Sequence, residues 1–107
     1  MQPRLYLRPG VRIQDLTPDT LQGFGKAQAI FFKYQQPFAV TCTSTRNPMT
    51  GPLQQDQHVF GVEKPESAAT LIFNECRIHL GEDWSITEKK TYWKFEYNPK
   101  PLEGTPL

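Results

Sequence analysis

The chain of 107 residues predicts an α+β fold: a small antiparallel sheet backed by two helices, in a single domain. Three observations lead there. Two segments carry apolar residues at spacings of three and four. Between and after them stand short runs rich in β-branched and aromatic residues. No internal repeat interrupts this order. A chain of this length closes one modest core, burying ~65% of the surface its unfolded form exposes.

The elements follow in sequence. Arg4 to Leu7 alternates and reads as a short edge strand, stopped by Pro9-Gly10. In "DLTPDTLQGFGKAQAIFFKYQQP", Thr17 is a helix N-cap, and Pro18 sits at the first helical position, where its missing N–H costs nothing. Leu21, Phe24, Ala27, Phe31 and Tyr34 form one apolar face, and Pro37 ends the helix. Phe38 to Ser44, "FAVTCTS", reads as a central strand. Arg46 to Glu63 holds Asn47-Pro48, Gly51-Pro52 and many glutamines, and reads as one long loop without a period. In "KPESAATLIFNECRIHLG" a second helix starts at Pro65 or Ser67. Its expected buried face is Ala68, Leu71, Ile72, Cys76, His79 and Leu80, and Gly81 suits a left-handed cap. Trp84 to Glu88 and Tyr92 to Tyr97 make a hairpin around Lys89-Lys90. The expected organisation is a domain over residues 1–97 and an extended, Pro-rich tail over 98–107.

Composition narrows the function classes. The net charge of +1 favours neither nucleic acid nor an acidic partner. No apolar run approaches the ~20 residues of a membrane span. "MQPRLYLRPG" lacks the apolar stretch of a secretory signal, so secretion by a signal peptide is not expected. Two cysteines, Cys42 and Cys76, are too few for a disulfide framework and read as buried thiols.

Several phrases, taken in order, resemble the small single-domain zinc DD-carboxypeptidases of phages and bacteria (VanY-like, Hedgehog/DD-peptidase fold). "LRPGVRIQDLTPD" is similar to their opening and "PFAVTCTSTRN" to the strand and turn before their metal loop. "DQHVFGVEKP" is similar to their His-x-x-Gly-x-Ala-x-Asp pattern. "LGEDWSIT" with "YWKFEYNPK" is similar to their closing Leu-Gly segment and His-x-His-x-Glu-Tyr-x-Pro strand. The resemblance spans Leu7 to Lys100.

The resemblance implies a zinc site, and this sequence departs from it. His58 matches the first ligand and Gly61 the glycine. Glu63 stands at the alanine, and Pro65, without a ligand atom, at the aspartate. Tyr92 and Lys94 occupy the histidine positions of the closing strand. Glu88 lies near the catalytic glutamate and Glu96 matches the later one. Catalytic zinc needs three protein ligands and an open position for water. Without a metal to acidify water, Glu88 and Glu96 have no hydroxide to help make. His58, Glu63, Glu88, Lys94 and Glu96 therefore read as a degenerate site with no cofactor. The alternative is zinc held by His58 with new partners such as Glu63, Glu66 or His79.

Other constellations have plainer readings. Cys42, His58, Cys76 and His79 supply two cysteines and two histidines, but their spacing matches no zinc-finger pattern. Cys42 with His58 is the one candidate nucleophile pair, set against a core cysteine. In the hairpin, Trp93, Phe95 and Tyr97 share one face, and Tyr92, Lys94 and Glu96 the other. A lysine amid aromatics can serve single-stranded nucleic acid. A small sheet, however, needs its aromatics for its interior.

With the phage origin implied by the resemblance, the expected function is that of a non-catalytic, peptidase-like phage protein, structural or virion-associated, located in a virion or a host cytoplasm and acting through protein–protein contact within an oligomeric or virion assembly. The expected partners are other protein chains, with no nucleic acid and no membrane. The alternatives are a zinc-dependent peptidoglycan peptidase with rearranged ligands and a small phage inhibitor of a host protein.

Overall fold

The computed structural model describes residues 4–44 and 58–98. Five strands and two α-helices follow one another along it, with a short 3-10 turn at Ile13–Asp15: β1 (Leu5–Leu7), α1 (Pro18–Lys33), β2 (Phe38–Ser44), β3 (His58–Glu63), α2 (Ala69–Leu80), β4 (Trp84–Glu88) and β5 (Tyr92–Tyr97). The sheet order is β1-β2-β3-β5-β4. β1 and β2 are parallel, joined through α1, and every other pair is antiparallel. The α+β class, the small and mostly antiparallel sheet and its two backing helices are as the sequence predicts.

α1 begins where its chemistry allows. The Thr17 hydroxyl accepts from Thr20 N at 3.3 Å, Pro18 fills the first turn, and Asp19 faces the positive end of the helix dipole. Its buried face is Thr20, Gly23, Phe24, Ala27, Ile30 and Phe31. Leu21, expected inside, is 37% exposed. The stripe is rotated because Gly23 lies directly beneath the Trp84 indole, which draws that side of the helix onto the sheet.

The core lies between the helices and one face of the sheet. Phe38 and Val40 of β2, Phe60 and Val62 of β3, and Trp93 and Phe95 of β5 meet Phe24, Phe31, Ile72, Cys76 and Leu80. Phe60 stacks on Phe95 with centroids 4.7 Å apart, and Phe24 meets Phe38 edge-on at 5.1 Å. Each fully buried side chain of this size contributes about 1.5–3 kcal/mol. The aromatic face of the hairpin thus fills the core, as strand alternation predicts.

Three expectations need correction. Residues 58–63, read as the end of a long loop, form the central strand β3. Its run Val59, Phe60, Gly61, Val62 is buried throughout, so it shows no alternation, and Gly61 interrupts it like a breaker. The helix expected from Pro65 or Ser67 starts at Ala69. Gln36 explains the delay: its Oε1 accepts from Glu66 N at 3.2 Å and Ser67 N at 3.4 Å, and its Nε2 donates to Ser67 Oγ at 2.9 Å. These bonds hold the approach outside the helix, and Ala68 turns into it with a φ of 58°. On α2 the buried residues are Ile72, Cys76 and Leu80, while Leu71 is 57% exposed and His79 faces solvent. The part of the expected loop before His58 and the tail beyond Asn98 lie outside the described residues.

Candidate functional site

The sheet face away from the helices carries the residues of interest. A bulge between Val40 and Cys42 shifts the β2–β3 register, so that Cys42 stands opposite Gly61. Both Thr41 and Cys42 then lean over the glycine. A methyl group at Gly61 would meet Cys42 Sγ at 2.8 Å, Thr41 Oγ1 at 2.9 Å and Tyr92 Cδ2 at 3.1 Å. Gly61 is therefore needed for close approach, a common meaning of glycine within a strand. Thr41 Oγ1 is buried there with no hydrogen-bond partner among the described residues.

β5 completes this face. Lys94 pairs in register with Gly61 and Thr87, and Glu96 with Val59 and Ser85. Lys94 is half-buried and makes no ion pair among the described residues. Glu96 lies two positions along the same face. The face of Tyr92, Lys94 and Glu96 forms as strand alternation predicts.

The other expected site residues on the strands, His58, Glu63 and Glu88, stand at strand ends. His58 begins β3 in register with Tyr97, and Glu63 ends the strand at Tyr92. The two are five positions apart along the strand, roughly 16–17 Å. Glu63 accepts from Arg8 at 2.9 Å. Glu88 ends the edge strand β4 and accepts from Lys64 at 2.8 Å. Glu66 is exposed on the approach to α2. Of the expected site residues, Lys94, Glu96 and Glu63 share the face away from the helices, with Glu63 turned to Arg8.

The cysteine alternatives fare differently. Cys42 is exposed, which corrects the expectation of a buried thiol: the bulge turns it to the face opposite the core. Cys76 is buried, and burial, with the nearby Glu75 charge adding, pushes its thiol up to about 12. The sheet separates the two, so they do not share a metal site with His79. Cys42 stands opposite Gly61, three residues along β3 from His58, about 10 Å of strand. Among the described residues no group of three or more His, Cys, Asp or Glu side chains is placed to hold a metal ion. No helix there is long and apolar enough to cross a membrane.

A second cluster, not anticipated from sequence, lies in the groove between α1 and α2. Lys33 Nζ donates to Glu75 Oε1 at 2.9 Å, His79 Nε2 lies 3.7 Å from the same oxygen, and Lys26 reaches the His79 carbonyl at 3.5 Å. The approaching Tyr34 hydroxyl, and then Lys33, hold the Glu75 carboxyl below its usual range. Glu75 in turn raises Lys33 and Tyr34. Glu75 Oε2 is buried without a properly formed hydrogen bond. The sequence carried one signal for part of it: Glu75 and His79 are four apart on one helix. Their pairing with Lys33 depends on how the helices cross.

No family model, curated protein or solved structure matches the chain.

Proposed function

We propose that this chain is a non-catalytic, peptidase-like domain that works through protein–protein contact, as a structural or virion-associated component of a phage. One observation carries the reading. Lys94, at a position where the resemblance calls for a metal-binding histidine, sits on an interior strand of the sheet, between Gly61 and Thr87. A lysine ammonium has no lone pair to offer and repels a divalent cation. The surrounding chemistry agrees. Pro65 supplies no ligand atom at the aspartate position. Glu63 is engaged by Arg8 and Glu88 by Lys64. A zinc hydrolase needs three donors around one point and a carboxylate within reach of the bound water.

What persists in such a domain is a shaped surface. Its use is tested by fractionating particles of the parent phage on a density gradient and probing each fraction for the chain. The proposal expects it in the particle fractions at a fixed ratio to the other virion proteins, with no cleavage of purified muropeptides in zinc-supplemented buffer. Its exclusive recovery in the soluble fraction, or turnover of a muropeptide, would overturn the proposal.

A further inference from the structure

At the outer edge of the sheet, β1 carries three apolar side chains in succession: Leu5, Tyr6 and Leu7, which are 38%, 49% and 47% exposed. An edge strand's unpaired N–H and C=O groups are a template for another strand, and the usual guards, charge and proline, stand here only beyond its ends, at Arg4, Arg8 and Pro9. Here the backbone is oriented for addition. Phe38 N donates to Arg4 O at 2.9 Å, and Arg8 N donates to Val40 O at 3.2 Å. These bonds assign the even-numbered residues of β1 to β2. Alternation then turns the N–H and C=O groups of Leu5 and Leu7 outward. No described residue bonds to them. Beside the strand, Tyr6, Pro9, Pro37 and Ala39 line a hollow open to solvent.

Charge selects the occupant. Arg4 and Arg8, both exposed, bracket the strand on the same face as Tyr6. A second copy added antiparallel about Tyr6 would set arginine against arginine at both ends. Parallel addition in register would do the same, and like charges opposite each other destabilise a strand pair. A segment with a carboxylate at each end meets both arginines through charge-assisted bonds. Arg8 holds Glu63 through one guanidinium nitrogen, which leaves the rest of its fork for a second carboxylate. Opposite Leu5 and Leu7 the added strand presents apolar residues.

We infer that the Leu5–Leu7 edge binds an extended segment of another protein, about five residues long, with alternate apolar side chains and a carboxylate at each end, which adds as a sixth strand. This deepens the protein-contact reading and rests on it.

The test is backbone-amide NMR of the whole chain, titrated with the blocked peptide Glu-Val-Thr-Val-Glu or its counterpart Lys-Val-Thr-Val-Lys. The acidic peptide is expected to shift the Leu5 and Leu7 amides and slow their exchange with deuterium. The lysine peptide is expected to bind at least about tenfold more weakly, the scale of one charge-assisted pair. The double substitution Arg4→Glu with Arg8→Glu should reverse that preference. Leu7→Pro removes an outward N–H, leaves the bonds to β2 in place, and should weaken binding of the acidic peptide. Any of three results overturns the inference: no protection at Leu5 and Leu7 at millimolar peptide, equal response to both peptides, or protection that grows with protein concentration alone. The last would identify a second copy as the occupant. Failure here leaves the non-catalytic reading standing, whereas muropeptide turnover would remove that reading and leave these spectra to judge the edge.

Discussion

Gly61 and Gly23 show how much of this fold rests on missing side chains. At Gly61 an added methyl meets a thiol, a hydroxyl and an aromatic ring within 3.1 Å, and two of these belong to a bulged strand with little room to retreat. Gly61→Ala should lower stability by about 1–3 kcal/mol in urea denaturation, the usual scale of overpacking. At Gly23 the methyl would fall inside the Trp84 indole, a rigid ring wedged between α1 and Phe60. Gly23→Ala should cost at least as much, and a melt indistinguishable from that of the parent would show that the helix shifts freely over the sheet. The thiols give a second residue-scale prediction. Cys42 is exposed, while Cys76 is buried and held neutral. In the native protein a disulfide reagent should label Cys42 quickly and Cys76 only on unfolding, since the thiolate is the reacting form. Cys42→Ser should abolish the fast phase. Rapid labelling of Cys76 would contradict the core described above.

At the scale of elements, the helix ends explain both what was legible and what was hidden. The start of α1 was readable because Thr17 and Pro18 act within one turn of sequence. Its end at Pro37 was readable too, but the stop comes earlier and by another device. Gln35 N donates to Phe32 O and Gln36 N to Phe31 O, each at 2.9 Å, which closes a Schellman motif with Gln35 at a φ of 59°. A left-handed conformation costs a non-glycine residue roughly 1–2 kcal/mol. Gln35→Gly should therefore raise stability by about 1 kcal/mol, because the exposed Gln35 side chain forgoes no packing. A lower urea midpoint would refute that account. The start of α2 was hidden because the group that delays it, Gln36, lies some thirty residues earlier. β3 was hidden because burial on both faces erases the two-residue alternation. The Lys33–Glu75 pair also belongs to this scale. Glu75 is lowered, so its contribution is present above the ordinary carboxylate range and is lost as pH falls through its folded value. Lys33 is raised, so its contribution holds below the ordinary lysine range and is lost as pH rises through its folded value. The stability gap between the parent and Glu75→Gln should be flat around neutrality and close in acid. A gap that persists in strong acid would show that the carboxylate charge plays no part.

At the scale of the whole molecule, the sheet sorts the residues that sequence reasoning had grouped. The resemblance grouped Glu63 and Glu88 around one centre; in the sheet they end β3 and β4 on either side of β5, opposite Tyr92 and Trp93, where Arg8 and Lys64 meet them. The side-chain alternation of β5 was legible, so Lys94 and Glu96 were correctly placed together. The bulge that exposes Cys42 was not, because it arises from the pairing of β2 with β3 and leaves no mark in "FAVTCTS". If this face holds no catalytic metal, as proposed, elemental analysis of the purified chain after dialysis against excess zinc should show it. The chain is expected to retain well under one equivalent of zinc, unchanged by His58→Ala. One equivalent in the parent, lost in His58→Ala, would contradict the proposal.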